Sequence, residues 1–229
     1  MTLTSIVLPV HNQADHIEDV VQGYSQALDS LTGEYELLLV PNMCSDASER
    51  VCAELAEAHQ PVRSEPIAGG GWGRAVKAGL SAAEGEMLCY TNSARTSPEI
   101  LTLMLAYSLA YKDVVLKANR RIRDSLVRRA GSVLYNIECR VLLDLASWDI
   151  NGTPKIFPRS FGRLLDLHRD DDLIDAELLA VCAREGYPVI EVPLLLTQRH
   201  GGRSTTNLRS AARMYWGAVQ LRSELRRRA

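Results

Sequence analysis

The sequence lacks the features that would assign it, by composition, to a membrane span, a disulfide scaffold or a nucleic acid complex. No stretch approaches the ~20 apolar residues of a transmembrane helix; the longest candidate, Ile100–Tyr111, is too short and carries Thr102 and Ser108. The five cysteines are widely spaced and form no CxxC pair, which predicts neither disulfides nor a zinc site. Basic and acidic residues nearly balance, 26 against 28, and this net charge of -2 argues against nucleic acid as a partner.

A secretory signal is also missing from the printed sequence. MTLTSIVLPV runs directly into a strand-like segment, with neither a basic flank nor a long apolar core. Together with the cysteine pattern, this favours a reducing compartment, and we expect a cytoplasmic protein.

What is present is an ordinary globular composition, 46% hydrophobic and 24% charged over 229 residues, which suits one large domain. Short runs of Val, Ile and Leu alternate with segments of helical period, the pattern of an α/β fold with a mainly parallel sheet. The predicted strands are Ser5–Val10, Tyr35–Val40, Val62–Ile67, Met87–Thr91, Asp113–Lys117, Pro154–Phe157 and Val189–Leu194. The predicted helices cover about residues 14–30, 46–58, 73–84, 98–111, 125–146 and 172–185.

Three loops of this pattern are where chemistry is expected, because parallel strands present functional groups at their carboxyl ends. They follow Val10, Val40 and Thr91. Ser45 or Asp46 can cap the second helix, and Ser97 before Pro98 is a good start for the fourth. A glycine-rich loop, AGGGWGRAVKAGL at 68–80, is consistent with anion binding by backbone N–H groups or with a simple tight turn.

Five segments, in order, carry a family resemblance over nearly the whole chain. They are SIVLPVHNQADHI (5–17), LLLVPNMCSDAS (37–48), GGWGRAVKAGLSAAEGEMLCYTNSA (70–94), DINGTPKIFPRS (149–160), and DAELLAVCAREGYPVIEVPL (175–194) followed by RHGGRS (199–204). They resemble the family 2 glycosyltransferases of GT-A fold, in particular the enzymes that glycosylate dolichol or polyprenyl phosphates. The resemblance implies one nucleotide-sugar-binding GT-A domain over residues 1–207, followed by a basic amphipathic helix over residues 208–229.

The resemblance also assigns residues to roles. It implies that a nucleotide-diphosphate sugar binds at Pro9, Val10, His11, Asn12, Gln13, Asn42, Gly73, Arg74, Lys77, Asn92, Ser93 and Ala94. The acceptor or its phosphate is expected at Lys155, Arg199, Gly202, Arg203 and Ser204, although Thr205 stands where the family usually has Lys. Asp149, Asp175 and Arg95 are the candidate catalytic residues.

The chain departs from the family at the metal site. The two acidic positions of the second loop are Pro41 and Asn42, and the family's DAD motif is replaced by Asn92, Ser93 and Ala94. A divalent cation on pyrophosphate needs anionic oxygen ligands, which these residues do not supply. We therefore expect no metal cofactor, and a cation such as Arg95 to meet the leaving diphosphate instead; the alternative for Arg95 is an ordinary surface residue.

Two carboxylates near a helix start, Asp175 and Glu177, lie two residues apart and point to different faces, so only one can serve the site. We choose Asp175, because the resemblance implies that an Asp near this position acts as the base in family 2 enzymes with hydroxyl acceptors; the alternative is a charge that stabilises the helix start. Asp149 is expected to orient the acceptor, because a phosphate acceptor needs no general base. His59 and His168 are interpreted as surface residues.

Basic residues are concentrated in two patches. Arg120–Arg129 holds five arginines, and Arg199–Ala229 holds eight arginines with Glu224 as its one acid. The tail spaces Leu208, Ala212, Tyr215, Trp216 and Val219 as on one side of a helix. This pattern fits a helix at an anionic lipid interface, or a packed helix with a solvated basic face.

The sequence thus predicts a transfer from a nucleotide-diphosphate sugar to a polyprenyl phosphate, with inversion, at the inner face of a membrane. A soluble hydroxyl acceptor with Asp175 as base is one alternative. A non-catalytic descendant that binds a nucleotide sugar or a partner protein is another, since loss of the metal-binding acids would also mark a dead enzyme. The sequence does not determine the oligomeric state, the transferred sugar or the nucleotide base of the sugar donor.

Overall fold

The computed structural model describes residues 3–31, 33–120, 126–194 and 208–227, with side chains from residue 131 onward in the third segment and from residue 215 onward in the fourth. Its strands are β1 Thr4–Val10, β2 Tyr35–Pro41, β3 Val62–Ser64, β4 Met87–Tyr90, β5 Val115–Arg120, β6 Lys155–Pro158 and β7 Val189–Leu194. Its helices are α1 Ile17–Leu28, α2 Ser48–Ala58, α3 Trp72–Ala82, α4 Pro98–Ala110, α5 Leu126–Leu143, α6 Ile174–Glu185 and α7 Leu208–Arg227.

The strands form one sheet in the order β3-β2-β1-β4-β6-β5-β7. Strands β1 to β4 pair in parallel, β5 pairs in parallel with β7, and β6 runs antiparallel to both β4 and β5. The prediction of an α/β domain with a mainly parallel sheet is confirmed.

Alternating side chains of the sheet divide the core into two layers, as the period of two along a strand requires. Ile6, Leu8 and Val10 pack with α1, α2 and α4, whereas Val7 packs with α3, α5, α6 and α7 on the other face. Helix α3 crosses β1 closely, because a Cβ added at Gly79 would lie 2.2 Å from Val7 Cγ1.

The expected strands and helices are all present, with shifts at their ends. Helix α1 begins at Ile17 rather than near residue 14, because the Gln13 carbonyl accepts from the N–H groups of His16 and Ile17 in a turn. Strand β3 is shorter than predicted, since β2 pairs with it only through Leu37–Leu39.

One helix-capping prediction is confirmed and the other is wrong. Ser97 caps α4, accepting from Ile100 N at 3.4 Å, with Pro98 at the first helical position. Neither Ser45 nor Asp46 is the N-cap of α2; that residue is Ala47. Asp46 lies one residue before this N-cap and accepts from Ser48 N at 3.0 Å.

Helix α7 packs on the domain through residues that the sequence pattern did not mark. Its buried residues include Ala218, Leu221 and Leu225, whereas Trp216 and Val219 are exposed. Among the residues that the structure describes, no helix is long and apolar enough to cross a bilayer.

Candidate active site

The site lies at the end of the sheet where the carboxyl termini of strands β1, β2, β4 and β5 are close together. Because β6 runs the other way, its first residue reaches the same end: Lys155 lies opposite Tyr90 of β4 and Lys117 of β5. This single reversed strand brings acceptor-side residues from late in the chain beside the donor-side loops of its first half.

The loop after β1 is tied to the loop after β2. Pro9 and Val10 end β1 in the core, and His11 Nδ1 donates to the Asn42 carbonyl at 2.8 Å. Asn42 is 5% exposed, and its Nδ2 donates to the Val10 carbonyl at 2.8 Å. Asn12 adopts a positive φ of 51°, and its Oδ1 accepts from Ser45 N at 2.7 Å. These bonds hold the expected base-binding segment in a fixed shape.

Sequence reasoning missed a second tie between these loops, formed by Asp46 and Ser48. Asp46 Oδ2 accepts from Ala14 N at 3.1 Å, and Ser48 Oγ accepts from Gln13 N at 2.7 Å. Burial would raise the pKa of Asp46, but hydrogen bonds from the Ser48 hydroxyl and N–H lower it. The Asp46 side chain therefore stays negatively charged and helps to hold the two loops together.

The segment after β4 is built from neutral groups. Asn92 Oδ1 accepts from Ala94 N at 3.1 Å, and Ser93 Oγ donates to Gln13 Oε1 at 2.5 Å. Ser93 and Ala94 are buried, and Arg95 follows as a partly buried side chain. The position that would present a metal-binding carboxylate instead holds an amide engaged with its own backbone and a methyl group.

The first two turns of α3 contact an aspartate that sequence reasoning overlooked. Arg74 Nη2 and Lys77 Nζ approach the Asp170 carboxylate to 2.9 Å and 2.8 Å. Hydrogen bonds from Lys77 and Arg74 lower the pKa of Asp170. A Cβ at Gly73 would lie 2.5 Å from Arg169 O, so this glycine permits the close approach of α3 to the 169–171 backbone.

On the acceptor side, Asp149 is locked to the end of β5. Arg120 reaches it with Nε at 2.7 Å, Nη2 at 2.8 Å and its backbone N–H at 2.9 Å. Burial lowers the pKa of Arg120, but the bond with Asp149 outweighs it and the net direction is upward. Asp149 is 5% exposed and has a positive φ of 47°. This fork of parallel bonds is the strong, oriented form of an ion pair.

A second buried pair joins β6 to α6. Lys155 Nζ bonds Asp175 Oδ1, which also accepts from the Tyr90 hydroxyl at 2.8 Å. Lys155 is fully buried, and this burial lowers its pKa against the raising effect of Asp175. Glu177 turns elsewhere and accepts from His168 N at 3.0 Å and Arg169 N at 2.8 Å. The two carboxylates of the DAE segment thus contact different partners.

A further buried charge, Lys117, was not anticipated. Its Nζ bonds the Trp148 carbonyl and lies 3.1 Å from Glu191 Oε1. Burial and the nearby Lys155 lower the pKa of Lys117 to about 8. The available signal was a lysine inside an otherwise apolar strand, VVLKAN, which a buried strand seldom carries unpaired.

Four of the expected acceptor residues, Arg199, Gly202, Arg203 and Ser204, lie outside the described residues, as do residues 121–125 of the Arg120–Arg129 patch and the side chains of Arg128 and Arg129. His59 and His168 are exposed, as predicted. All five cysteines are free thiols. Within the described ranges, no group of three His, Cys, Asp or Glu side chains is arranged to hold a metal ion.

A family model described as Glycosyl transferase family 2 matches residues 5–160, which is more than half of the sequence. The chain belongs to glycosyl transferase family 2. Two curated relatives are undecaprenyl-phosphate 4-deoxy-4-formamido-L-arabinose transferases of Klebsiella pneumoniae: that of subspecies pneumoniae strain ATCC 700721 is 25% identical over 204 residues, and that of strain 342 is 26% identical over 205. Each match covers 87% of this chain, which spans 61% of the relative's length.

Solved structures share the fold. Glucosyl-3-phosphoglycerate synthase of Mycobacterium tuberculosis, in complex with phosphoglyceric acid, superposes with a TM-score of 0.72 at 18% identity, over 96% of this chain and 78% of its own. The same enzyme with Mn²⁺, UDP-glucose and phosphoglyceric acid gives 0.70 at 19% identity, over 96% and 79%. This likeness confirms the GT-A fold.

Proposed function

We propose that this family 2 domain transfers a sugar from a nucleotide-diphosphate sugar to a polyprenyl phosphate, with inversion and without a divalent metal. The observation that carries the choice of acceptor is the state of Asp175. Its Oδ1 is engaged by both Lys155 and Tyr90, and the carboxylate is 3% exposed. A carboxylate neutralised by a contacting ammonium is a poor general base, whereas a phosphate acceptor brings its own anionic nucleophile and needs none.

Positive charge on the acceptor side supports the same acceptor. Arg120 ends β5 at this end of the sheet, fixed by Asp149, and its side chain is 14% exposed, whereas Lys155 is fully buried and holds Asp175 in place. A preorganised cation such as Arg120 stabilises phosphate oxygens without reorganising when the substrate binds. The Klebsiella relatives are named as undecaprenyl-phosphate sugar transferases, which agrees with this chemistry.

The metal-free part of the proposal rests on which metal-ligand atoms the residues after β4 can supply. Asn92 Oδ1 is bonded to Ala94 N, Ser93 Oγ is bonded to Gln13, and Ala94 has no ligand atom in its side chain. Mg²⁺ and Mn²⁺ favour carboxylate oxygens, so these residues do not fit either ion. In this proposal, arginine supplies the charge that meets the leaving diphosphate, with Arg95 as the first candidate.

The acceptor is a lipid, so we place the protein at the cytoplasmic face of a membrane as a peripheral component. The arginine patches Arg120–Arg129 and Arg199–Arg228 would add electrostatic attraction to anionic lipids at ~1 kcal/mol per residue near the surface. That attraction fades as salt screens it.

A donor panel tests the proposal. Melting temperature is measured with UDP-, GDP- and dTDP-sugars, each with Mg²⁺, Mn²⁺ or EDTA, since a ligand of the folded state raises it. Transfer is then measured to a short-chain prenyl phosphate and to the matching prenol. We expect donor binding in EDTA, and transfer to the phosphate alone.

Other outcomes would overturn separate parts. A strict Mn²⁺ or Mg²⁺ requirement for donor binding would refute the metal-free site. Transfer to the prenol or another hydroxyl, with loss in Asp175→Asn, would favour the soluble-acceptor alternative. Donor binding without turnover on either acceptor would favour a non-catalytic role.

A further inference from the structure

Exposed large hydrophobic side chains are clustered on this domain. Apart from Met43, those on the described surface fall into two groups, one on α4 and one on α5, the loop after it and α7. The first group is Leu103, Tyr107, Leu109 and Tyr111; the second is Val133, Leu134, Ile137, Val141, Trp148, Trp216 and Val219. An exposed apolar patch of this size on a domain marks an interaction surface.

Helix α5 has two apolar faces. Tyr135 and Cys139, four residues apart, are buried against the core. Val133, Ile137 and Val141 repeat at the same spacing on the opposite side and face solvent, with Val141 71% exposed. A helix that packs only against its own domain needs just one apolar stripe. The second stripe is left without a partner in the described structure.

Helix α7 extends this surface. Tyr215 binds it to α5, donating its hydroxyl to the Gly131 carbonyl at 2.8 Å and meeting the Tyr135 ring edge to face at 6.0 Å. Trp216, the next residue, is 67% exposed, and Val219 is also exposed. Two further exposed residues, Arg226 and Arg227, follow near the end of the same helix. Tyr215 is therefore an internal tether, and Trp216 remains as an aromatic anchor.

The α5 surface leads directly into the acceptor side. The Arg140 guanidinium lies 4.3 Å from the ring centre of the exposed Trp148, at the flank of the outward stripe. Trp148 immediately precedes Asp149, and its carbonyl accepts from Lys117. Asn136 of α5 accepts from Ile150 N at 2.8 Å, which fixes this loop to the helix. A partner that binds the exposed surface of α5 would therefore lie next to the loop that contains Asp149, the ion-pair partner of Arg120.

We propose that the outward stripe of α5, extended by Trp148 and by Trp216 and Val219 of α7, inserts into the acyl boundary of an anionic membrane and presents the lipid acceptor to the site. This deepens the proposed function and rests on its lipid acceptor. Charge decides the occupant: arginines are concentrated before α5 and along α7, as an anionic leaflet requires. Between Pro98 and Asp113, the α4 group has a single basic residue, Lys112.

The α4 group also provides the matched control. Leu134→Glu with Val141→Glu places two charges on exposed apolar positions of α5, with Val141 in the outward stripe, and Leu103→Glu with Leu109→Glu places two on exposed positions of α4. None of the four residues contacts the site, and all are exposed, so the variants are expected to fold. Melting temperature and circular dichroism of each check this.

Binding is measured by sedimentation with phosphatidylglycerol and with phosphatidylcholine vesicles, without donor, at two salt concentrations. We expect the wild type to bind phosphatidylglycerol in a salt-sensitive way, and the α5 double variant to bind about tenfold more weakly or worse. The α4 double variant should bind as the wild type does. Tryptophan emission should shift to the blue on binding, and less so in Trp216→Phe.

Three results would overturn this proposal. They are no vesicle binding at low salt, equal loss in both double variants, and a wild-type dimer that the α5 variant disrupts, which would assign the stripe to a second copy of the chain. Transfer assays separate this failure from that of the proposed function. If only the membrane role of the stripe is wrong, the α5 double variant transfers sugar both to a long-chain acceptor in vesicles and to a short-chain acceptor. If the proposed function is wrong, no variant transfers sugar to either acceptor.

Discussion

The two halves of the site handle charge in opposite ways. On the donor side, around the ends of β1, β2 and β4, the loops are joined mainly by neutral hydrogen bonds, as between Ser93 and Gln13, and the cations Arg74 and Lys77 sit on the partly exposed Asp170. On the acceptor side, Lys155 and Lys117 are fully buried and ion-paired.

This difference indicates which charged side chains a substrate can contact. A buried ion pair satisfies itself at high desolvation cost and keeps its geometry whether or not substrate is present. A partly exposed cation can exchange its partner for a diphosphate at little cost. We therefore expect acceptor-side substitutions to act mainly on stability and donor-side substitutions mainly on binding.

The largest effect should come from breaking the Lys155–Asp175 pair. Lys155→Met leaves a buried carboxylate without its cation, which costs ~3–5 kcal/mol in the free energy of unfolding. Urea denaturation measures the loss. Replacing both members, Lys155→Met with Asp175→Leu, should recover part of it.

The matched control is the exposed pair Arg50–Glu54, whose side chains are 68% and 57% exposed. Arg50→Met should cost less than ~1 kcal/mol. Similar losses in Lys155→Met and Arg50→Met would mean that the acceptor-side pair is no more structural than a surface one, and the contrast between the two halves would fail.

A donor-side substitution, Arg95→Ala, should have the next largest effect, and on binding. Loss of one charge-assisted hydrogen bond to the diphosphate costs ~1.5–3 kcal/mol, or roughly 10- to 150-fold in donor affinity. Calorimetric titration with the donor in EDTA measures it, and Arg50→Ala serves as control. If Arg95→Ala instead lowers stability and leaves donor affinity unchanged, its role is structural.

The smallest effect concerns pH. Burial and the nearby Lys155 lower the pKa of Lys117 to about 8, below the ~10.4 of an unfolded lysine. Between these values the unfolded chain binds more protons, so this group makes the folded state more stable as pH rises from 8 to 10.

Lys117→Met removes that dependence. The stability of the wild type relative to this variant should therefore increase by about 2 kcal/mol from pH 8 to pH 10. Chemical denaturation at both pH values measures it, with the exposed Lys112→Met as control. A flat difference would show that Lys117 stays charged in the fold.

The sequence by itself determined the elements and the family. Alternating apolar periods set the strand and helix order, and Ser97 with Pro98 marked the start of α4, because these signals depend only on neighbouring residues. The motif segments located the site loops, and the replacement of acids by Asn92 and Ala94 is visible in the printed sequence alone.

Only the tertiary structure decided which charges meet. Asp170 lies 96 residues from Arg74, and Glu191 lies 74 residues from Lys117, so no local pattern could pair them. The same holds for α7: its spacing marked one apolar side, but packing buried Ala218, Leu221 and Leu225 and left Trp216 in solvent. A helical period reveals that a face is apolar; what covers that face depends on the elements that the fold brings beside it.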